Sequence, residues 1–207
     1  MPIISPLSIV NGARPVASAA APPAGFEGWN AADANEMAVS GDNDEVATAT
    51  ASSGSYIVNI RGTTGRSAGL RCFAITMTEI SSGDDGFGVA PTTDPISDWV
   101  GNIGQGWGYW KGGNAYTGGS PTATGVTWAE GDYVMCAVNF TSGKLWWGKN
   151  GTWIGDPAED TGNTYSSVSG TLHVMCGTTI SGHIFSYKGH SSNLPFTPPA
   201  GFTAWED

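Results

Sequence analysis

The longest stretch of this chain without glycine or proline is thirteen residues, Leu70 to Ser82. Glycine fills 31 and proline 12 of the 207 positions, and leucine, a leading apolar helix former, occurs five times. Helical bundles, coiled coils and Rossmann-type alternations need longer uninterrupted runs of helix formers, so this punctuation excludes them. What remains is short apolar runs set between turn residues, the pattern of an all-β sandwich. The length suits one such domain with an arm.

Eighteen Asp and Glu against eight Lys and Arg give a net charge of −10, which repels rather than recruits a phosphate backbone. Nucleic acid is therefore not an expected partner. No apolar run approaches the roughly 20 residues that span a bilayer, so no membrane insertion is expected either. Cys72, Cys136 and Cys176 each sit in an apolar run, without CxxC spacing or a histidine neighbour. They read as small buried hydrophobes, which fits folding in a reducing cytoplasm.

Residues 1–25 are rich in Pro, Ala and Ser and open with Ile3, Ile4, Leu7, Ile9 and Val10. No basic residue precedes the apolar part, and Pro2, Pro6 and Pro15 break it, so a retained arm is expected rather than a secretory leader. An arm of this composition has no core of its own and needs a surface to hold it. The five aliphatic residues are the candidate assembly contacts, and a homo-oligomer is expected.

Residues 26–54 read as a connecting segment with short strands, Met37 to Val39 and Glu45 to Thr50. Tyr56 to Ile60 and Leu70 to Glu79 flank a Gly-rich turn at Gly62 to Gly69. Within the second run Phe73, Ile75 and Met77 alternate with Cys72, Ala74 and Thr76, opposing a large-residue face to a small-residue face, both suited to being covered. Ser81 to Gly131 is loop-rich, with one strand expected at 106–110. Tyr133 to Phe140 and Lys144 to Gly148 are joined by Thr141-Ser142-Gly143, and Asn150-Gly151 then supplies the strongest short hairpin signal. Thr171 to Gly177 and His183 to Lys188 are the last strands. Pro22-Pro23-Ala24-Gly25-Phe26 with Trp29 repeats at the same spacing as Pro198-Pro199-Ala200-Gly201-Phe202 with Trp205, either the scar of a joined module or two similar staples.

The run from Gly131-Asp132 through Gly143-Lys144-Leu145-Trp146 and Lys149-Asn150-Gly151 to Gly155-Asp156-Pro157 resembles the hallmark stretch of SPRY domains. Ser67 to Val89 is similar to the early strands of that family, and Gly108-Tyr109-Trp110 to its central segment. The resemblance covers about residues 55–207 and implies a concanavalin-A-like jelly roll, with Trp128 and Trp153 at core positions. Asn150-Gly151-Thr152-Trp153-Ile154-Gly155-Asp156-Pro157, together with the terminal Pro198-Pro199-Ala200-Gly201-Phe202 and Trp205, resembles a variant found in bacteriophage virion proteins. The sequence departs from the pattern at Ile184 to Gly189, where the family has an Asn-Phe-Gly strand, and this leaves the register of that strand open.

A glycan hydrolase on such a sandwich needs two positioned carboxylates. Glu130 and Asp132 flank a turn glycine and read as structural, and no Gly-x-Ser-x-Gly exists. No catalytic residue and no cofactor are therefore assigned. His173, His183 and His190 have no acidic partner at a telling spacing. Asp42-Asn43-Asp44-Glu45 reads as a turn, and Asp84 and Asp85 are weak metal candidates, so no metal is expected. Trp99, Trp107, Trp110, Asn114 and Tyr116, in or beside the Gly-rich loops, are the candidate ligand-binding platform.

These readings converge on a non-enzymatic phage virion protein, made in the host cytoplasm and attached to other virion proteins through its arm. Its module is expected to meet a host-surface saccharide or a neighbouring virion protein. The alternatives are an intracellular peptide-binding adaptor of the SPRY type and, behind it, a glycan hydrolase.

Overall fold

The computed structural model describes residues 26–43, 45–52, 58–79 and 83–207. The expected assembly residues Ile3, Ile4, Leu7, Ile9 and Val10 lie outside them.

Two antiparallel sheets face each other, and the described residues contain no helix. One sheet runs, edge to edge, β1 (Trp29–Asn35), β4 (Val58–Arg66), β13 (Leu172–Thr178), β6 (Asp85–Ala90), β7 (Trp107–Trp110), β8 (Asn114–Thr117) and β9 (Ser120–Ala123). The other runs β12 (Thr152–Trp153), β11 (Lys144–Lys149), β10 (Tyr133–Asn139), β5 (Leu70–Thr78), β14 (Ile184–Lys188), β3 (Val46–Ala49) and β2 (Met37–Ser40). Short β15 (Thr203–Ala204) joins β5 in parallel.

Side-chain alternation in β5 places Phe73, Ile75 and Met77 in the main core, and Cys72 in a second cluster on the outer face with Ala137, Trp146 and Phe202. Both faces are covered, as the sequence implies, because the C-terminal segment lays Leu194, Phe196 and Phe202 across that outer face. Register carries the pattern across the sheet: Cys136 pairs with Phe73 on one side and Trp147 on the other. Trp147 is therefore in the main core and Trp146 under the C-terminal segment, each fully buried. The β10–β11–β12 meander forms at the expected turns, with Gly143 at φ +66° and Asn150-Gly151 at φ +50° and +81°.

The short strands expected in the segment 26–54 form as β2 and β3, with β1 ahead of them. β1 pairs with β4, while β2 and β3 extend the opposite sheet beside β14, so this stretch supplies edges to both layers. Alternation was diluted here by Ala, Asn and Ser, and the partners are remote in sequence. The expected turn at Gly62 to Gly69 is also shorter, since β4 continues to Arg66 and then crosses to the other sheet. Phe26 and Trp29 of the first repeated motif, and Phe202 and Trp205 of the second, are all buried in the same sandwich. Trp29 and Trp205 enter the main core, Trp29 packing on Tyr187 at 5.2 Å and Trp205 on Phe73 at 5.4 Å. The Tyr187 hydroxyl donates to Glu206 at 2.8 Å.

Four strands, β6 to β9, occupy the region where one was expected. Gly86 and Gly88 mask β6 by resembling chain breakers, yet they, like Gly108 within the expected strand, are strand residues suited to close approach. A Cβ on Gly88 would lie 1.9 Å from the Trp107 carbonyl oxygen, and one on Gly108 2.1 Å from that of Val100.

Two outcomes follow from this packing. Gly88→Ala is expected to destabilise the fold by about 3 kcal/mol through overpacking against backbone, whereas Gly112→Ala, whose Cβ meets nothing within 4 Å, leaves it within about 0.5 kcal/mol; urea unfolding measures both. Burial holds the Glu206 carboxyl above the usual glutamate range, ahead of the opposing hydrogen bonds from Thr64 and Tyr187. The folded chain thus binds this proton more tightly than the unfolded chain. The stability it contributes is present below the ordinary glutamate pKa of about 4.3 and is lost as pH rises through the raised folded value. Melting curves from pH 4 to 7 should show Glu206→Gln gaining on the parent as pH rises.

Candidate functional site

The outer face of the first sheet is floored by Gly86, Gly88 and Gly108, and the loop between β6 and β7, residues 91–106, presses onto it. Every anchor of that loop is a polar group from the sheet or from the loop itself. Asn59 Nδ2 donates to the carbonyls of Ile96 at 3.2 Å and Asp98 at 3.1 Å. Buried Arg61 donates to the Asp94 carbonyl at 2.7 Å while paired with Asp33 at 2.7 Å. The Asp94 carboxylate accepts the Gln105 N–H at 3.0 Å, and the Asp98 carboxylate accepts the Trp99 N–H at 2.8 Å and the Asn102 amide. Beneath it Val100, Trp110 and Met175 form a third apolar cluster, against which Trp99 and Tyr116 pack.

Where this loop meets β7 and β8, a recess of about 260 Å³ opens, lined by Asp84, Trp99, Trp110, Gly112, Asn114 and Tyr116. Four of the five expected platform residues, Trp99, Trp110, Asn114 and Tyr116, therefore converge. Trp99 stands nearly at right angles to both neighbours, with ring centroids 5.4 Å from Trp110 and 4.8 Å from Tyr116. The Trp110 indole N–H donates to the Val100 carbonyl at 3.2 Å, which fixes that ring against the glycine floor. A Cβ on Gly86 would lie 2.4 Å from it, so only glycine lets Trp110 lie flat there.

Trp107 does not belong to the platform. It is a main-core residue with Tyr109, only 7% exposed. Strand parity is the reason, because residues three apart in β7 point to opposite faces. That signal was in the sequence once 107–110 was read as a strand. Nor is the platform exposed: Trp110 is 7% exposed as well, so it forms a wall rather than a shelf.

Asp84 and Asp85 part company in the same way. Asp84 is exposed and edges the recess, while Asp85 is fully buried. The Asp85 carboxylate contacts His183 Nδ1 at 2.7 Å and Lys111 Nζ at 3.3 Å, and Lys111 also pairs with Glu79. Thr178 Oγ1 completes the group, 3.2 Å from the same His183 nitrogen. Among the described residues no three of His, Cys, Asp and Glu gather as a metal site. The His183 partnership was invisible in the sequence because its partner lies 98 residues away.

Elsewhere the reactive groups serve the fold. Asp132 accepts from Asn150 at 2.6 Å and from the Ala129 N–H at 3.0 Å. Desolvation would raise its pKa, but these bonds and Lys149 outweigh it and hold the carboxyl below its usual range. Glu130 is exposed on the turn beside it. Burial pushes the Cys72 thiol up to about 12, and Cys136 and Cys176 well above the ordinary range, which makes all three inert.

The Asp85 cluster yields an expectation of its own. Asp85→Ala removes the buried carboxylate that the His183 imidazole and the Lys111 ammonium share, and should cost about 3 kcal/mol in urea unfolding. Lys111→Met, which removes a partly exposed charge and leaves the His183 contact in place, should cost clearly less.

No family model matches the chain, and no curated protein matches it. Solved structures do. The SPRY domain of human HERC1 superposes with a TM-score of 0.63 at 20% identity, over 78% of this chain and 97% of that one. The TRIM65 PSpry domain gives 0.58 at 14%, over 77% and 90%. A further human SPRY domain gives 0.57 at 17%, over 74% and 95%. At these identities the likeness is one of architecture: the chain has the two-sheet sandwich fold of SPRY domains.

Proposed function

We propose that the chain is a non-enzymatic protein-interaction module of a bacteriophage virion, which seats a group of a neighbouring virion protein in the recess of Trp99, Trp110, Asn114, Tyr116 and Asp84. The recess carries this reading. Aromatic walls, an amide and a carboxylate converge there on a preformed cavity, held by a loop pinned to a rigid sheet. The cavity is smaller than the roughly 300–1,000 Å³ of drug-sized sites, which suits one side chain or one sugar ring. Engagement of Asp132 in a turn network supports a binding role over hydrolysis, since a glycosidase needs two carboxylates facing a substrate. The virion setting is supported by the two phage-like stretches, whose Trp153, Phe202 and Trp205 all pack in the sandwich. Attachment of the arm to the particle, through Ile3, Ile4, Leu7, Ile9 and Val10, belongs to the same reading, as do several copies acting together.

The test is photo-crosslinking from a reactive amino acid placed at Asn114 in phage particles, with Gly112→Phe as the filled-recess variant. Gly112 is exposed and its Cβ is unobstructed, so the variant should fold. The expected result is a crosslink to one virion protein that falls at least tenfold in the variant. Particles that lack the chain, or crosslinks indifferent to Gly112→Phe, would overturn the proposal. Capture of a host-surface glycan instead would replace the protein partner with a saccharide.

A further inference from the structure

Resting on that reading of the recess, we propose that the group it receives is a cation, the guanidinium or ammonium of an Arg or Lys side chain on the partner protein. The walls are rings, and their geometry suits a positive charge. Trp99 meets both Trp110 and Tyr116 at 89°, which makes a corner of aromatic surfaces rather than a stack. Ring faces carry the negative end of the aromatic quadrupole, and a cation within about 6 Å of a ring centroid is attracted to them. Tryptophan is the strongest such surface, and two of the three rings are tryptophan.

The charge at the rim has the matching sign. Among the described residues lining the recess, Asp84 is the charged one, and Asn114 adds an amide carbonyl able to accept from a donor. Asp98 lies one residue before Trp99 and keeps a second carboxylate close to the loop backbone. Lys111, between Trp110 and Gly112, turns its ammonium onto Glu79 and Asp85, where two carboxylates offset it. A net charge of −10 over the whole chain draws a basic partner surface and repels an acidic one. A neutral sugar could hydrogen-bond the rim but would gain no net charge attraction from this pattern, and an anion would be opposed by it.

The experiment uses the full chain and simple probes: Nα-acetyl-arginine amide, Nα-acetyl-lysine amide, the uncharged Nα-acetyl-norleucine amide, and a set of methyl glycosides. Indole N–H signals of Trp99 and Trp110 are followed by NMR. Both cationic probes should shift them saturably, more weakly at higher salt, while the norleucine probe and the glycosides leave them in place. Asp84→Asn should weaken the arginine probe about threefold to fivefold with an unchanged melting temperature, and Tyr116→Leu by a similar factor. Equal shifts from the norleucine probe, shifts from glycosides alone, or no shift from any probe would each overturn the cation assignment. The two proposals fail separately. A crosslink from Asn114 with no response to cations leaves the interaction module standing without this ligand class. Cation binding with no virion crosslink keeps the ligand class and removes the virion partner.

Discussion

The close contact between glycine backbone on β6 and β7 and the loop that covers them is the constraint on which the rest of the outer face depends. Gly88 meets the Trp107 carbonyl, Gly108 meets that of Val100, and Gly86 lies beneath the Trp110 ring. A side chain at Gly86 or Gly88 would displace the Trp110 ring or the β7 backbone, and one at Gly108 would lift the loop from the sheet. Lifting it would separate Trp99 from Trp110 and Tyr116 and abolish the recess. Glycine usually weakens a strand because it has no side chain to pack. Here that cost is offset by apolar burial beneath the loop and by the Asn59 and Arg61 bonds that hold it.

Inside the sandwich the complementary arrangement holds. The inner faces of the same strands carry Phe87, Trp107 and Tyr109, packed against Phe73 and Trp147 of the opposite sheet. Edge-to-face pairs such as Phe73 with Phe87 at 6.1 Å and Phe87 with Trp147 at 5.4 Å add about 0.5–1.5 kcal/mol each beyond area burial. β7 thus alternates two functions residue by residue, Trp107 and Tyr109 holding the sheets together, Gly108 and Trp110 building the outer surface.

Buried polar groups stitch this arrangement at its edges. Asp85 opens β6 and meets His183 just before β14, so this buried polar contact ties one sheet to the other. Lys111 is recruited to the same carboxylate, which takes a positive charge away from the recess beside it. Glu206, held by Thr64 and Tyr187, serves the same purpose beside the point where Trp29 and Trp205 enter the core.

The class of fold was legible in the residues alone, because a chain cut by glycine and proline at such short intervals can bury a core only as short strands. The meander from Tyr133 to Trp153 was legible in detail, since Gly143 and Asn150-Gly151 set its turns by local φ preference. The alternation of Leu70 to Glu79 likewise announced two covered faces. Most of the candidate site was legible too, as aromatic and amide residues gathered in one loop-rich stretch. Tertiary structure decided what local chemistry cannot. It turned Gly86 and Gly88 from apparent breakers into strand residues, divided β1 from β2 and β3 between the two sheets, and paired Asp85 with His183 across 98 positions. It also sent Trp107 inward and Trp110 outward, since the face a strand residue takes is fixed only when the sheet has another layer to pack against.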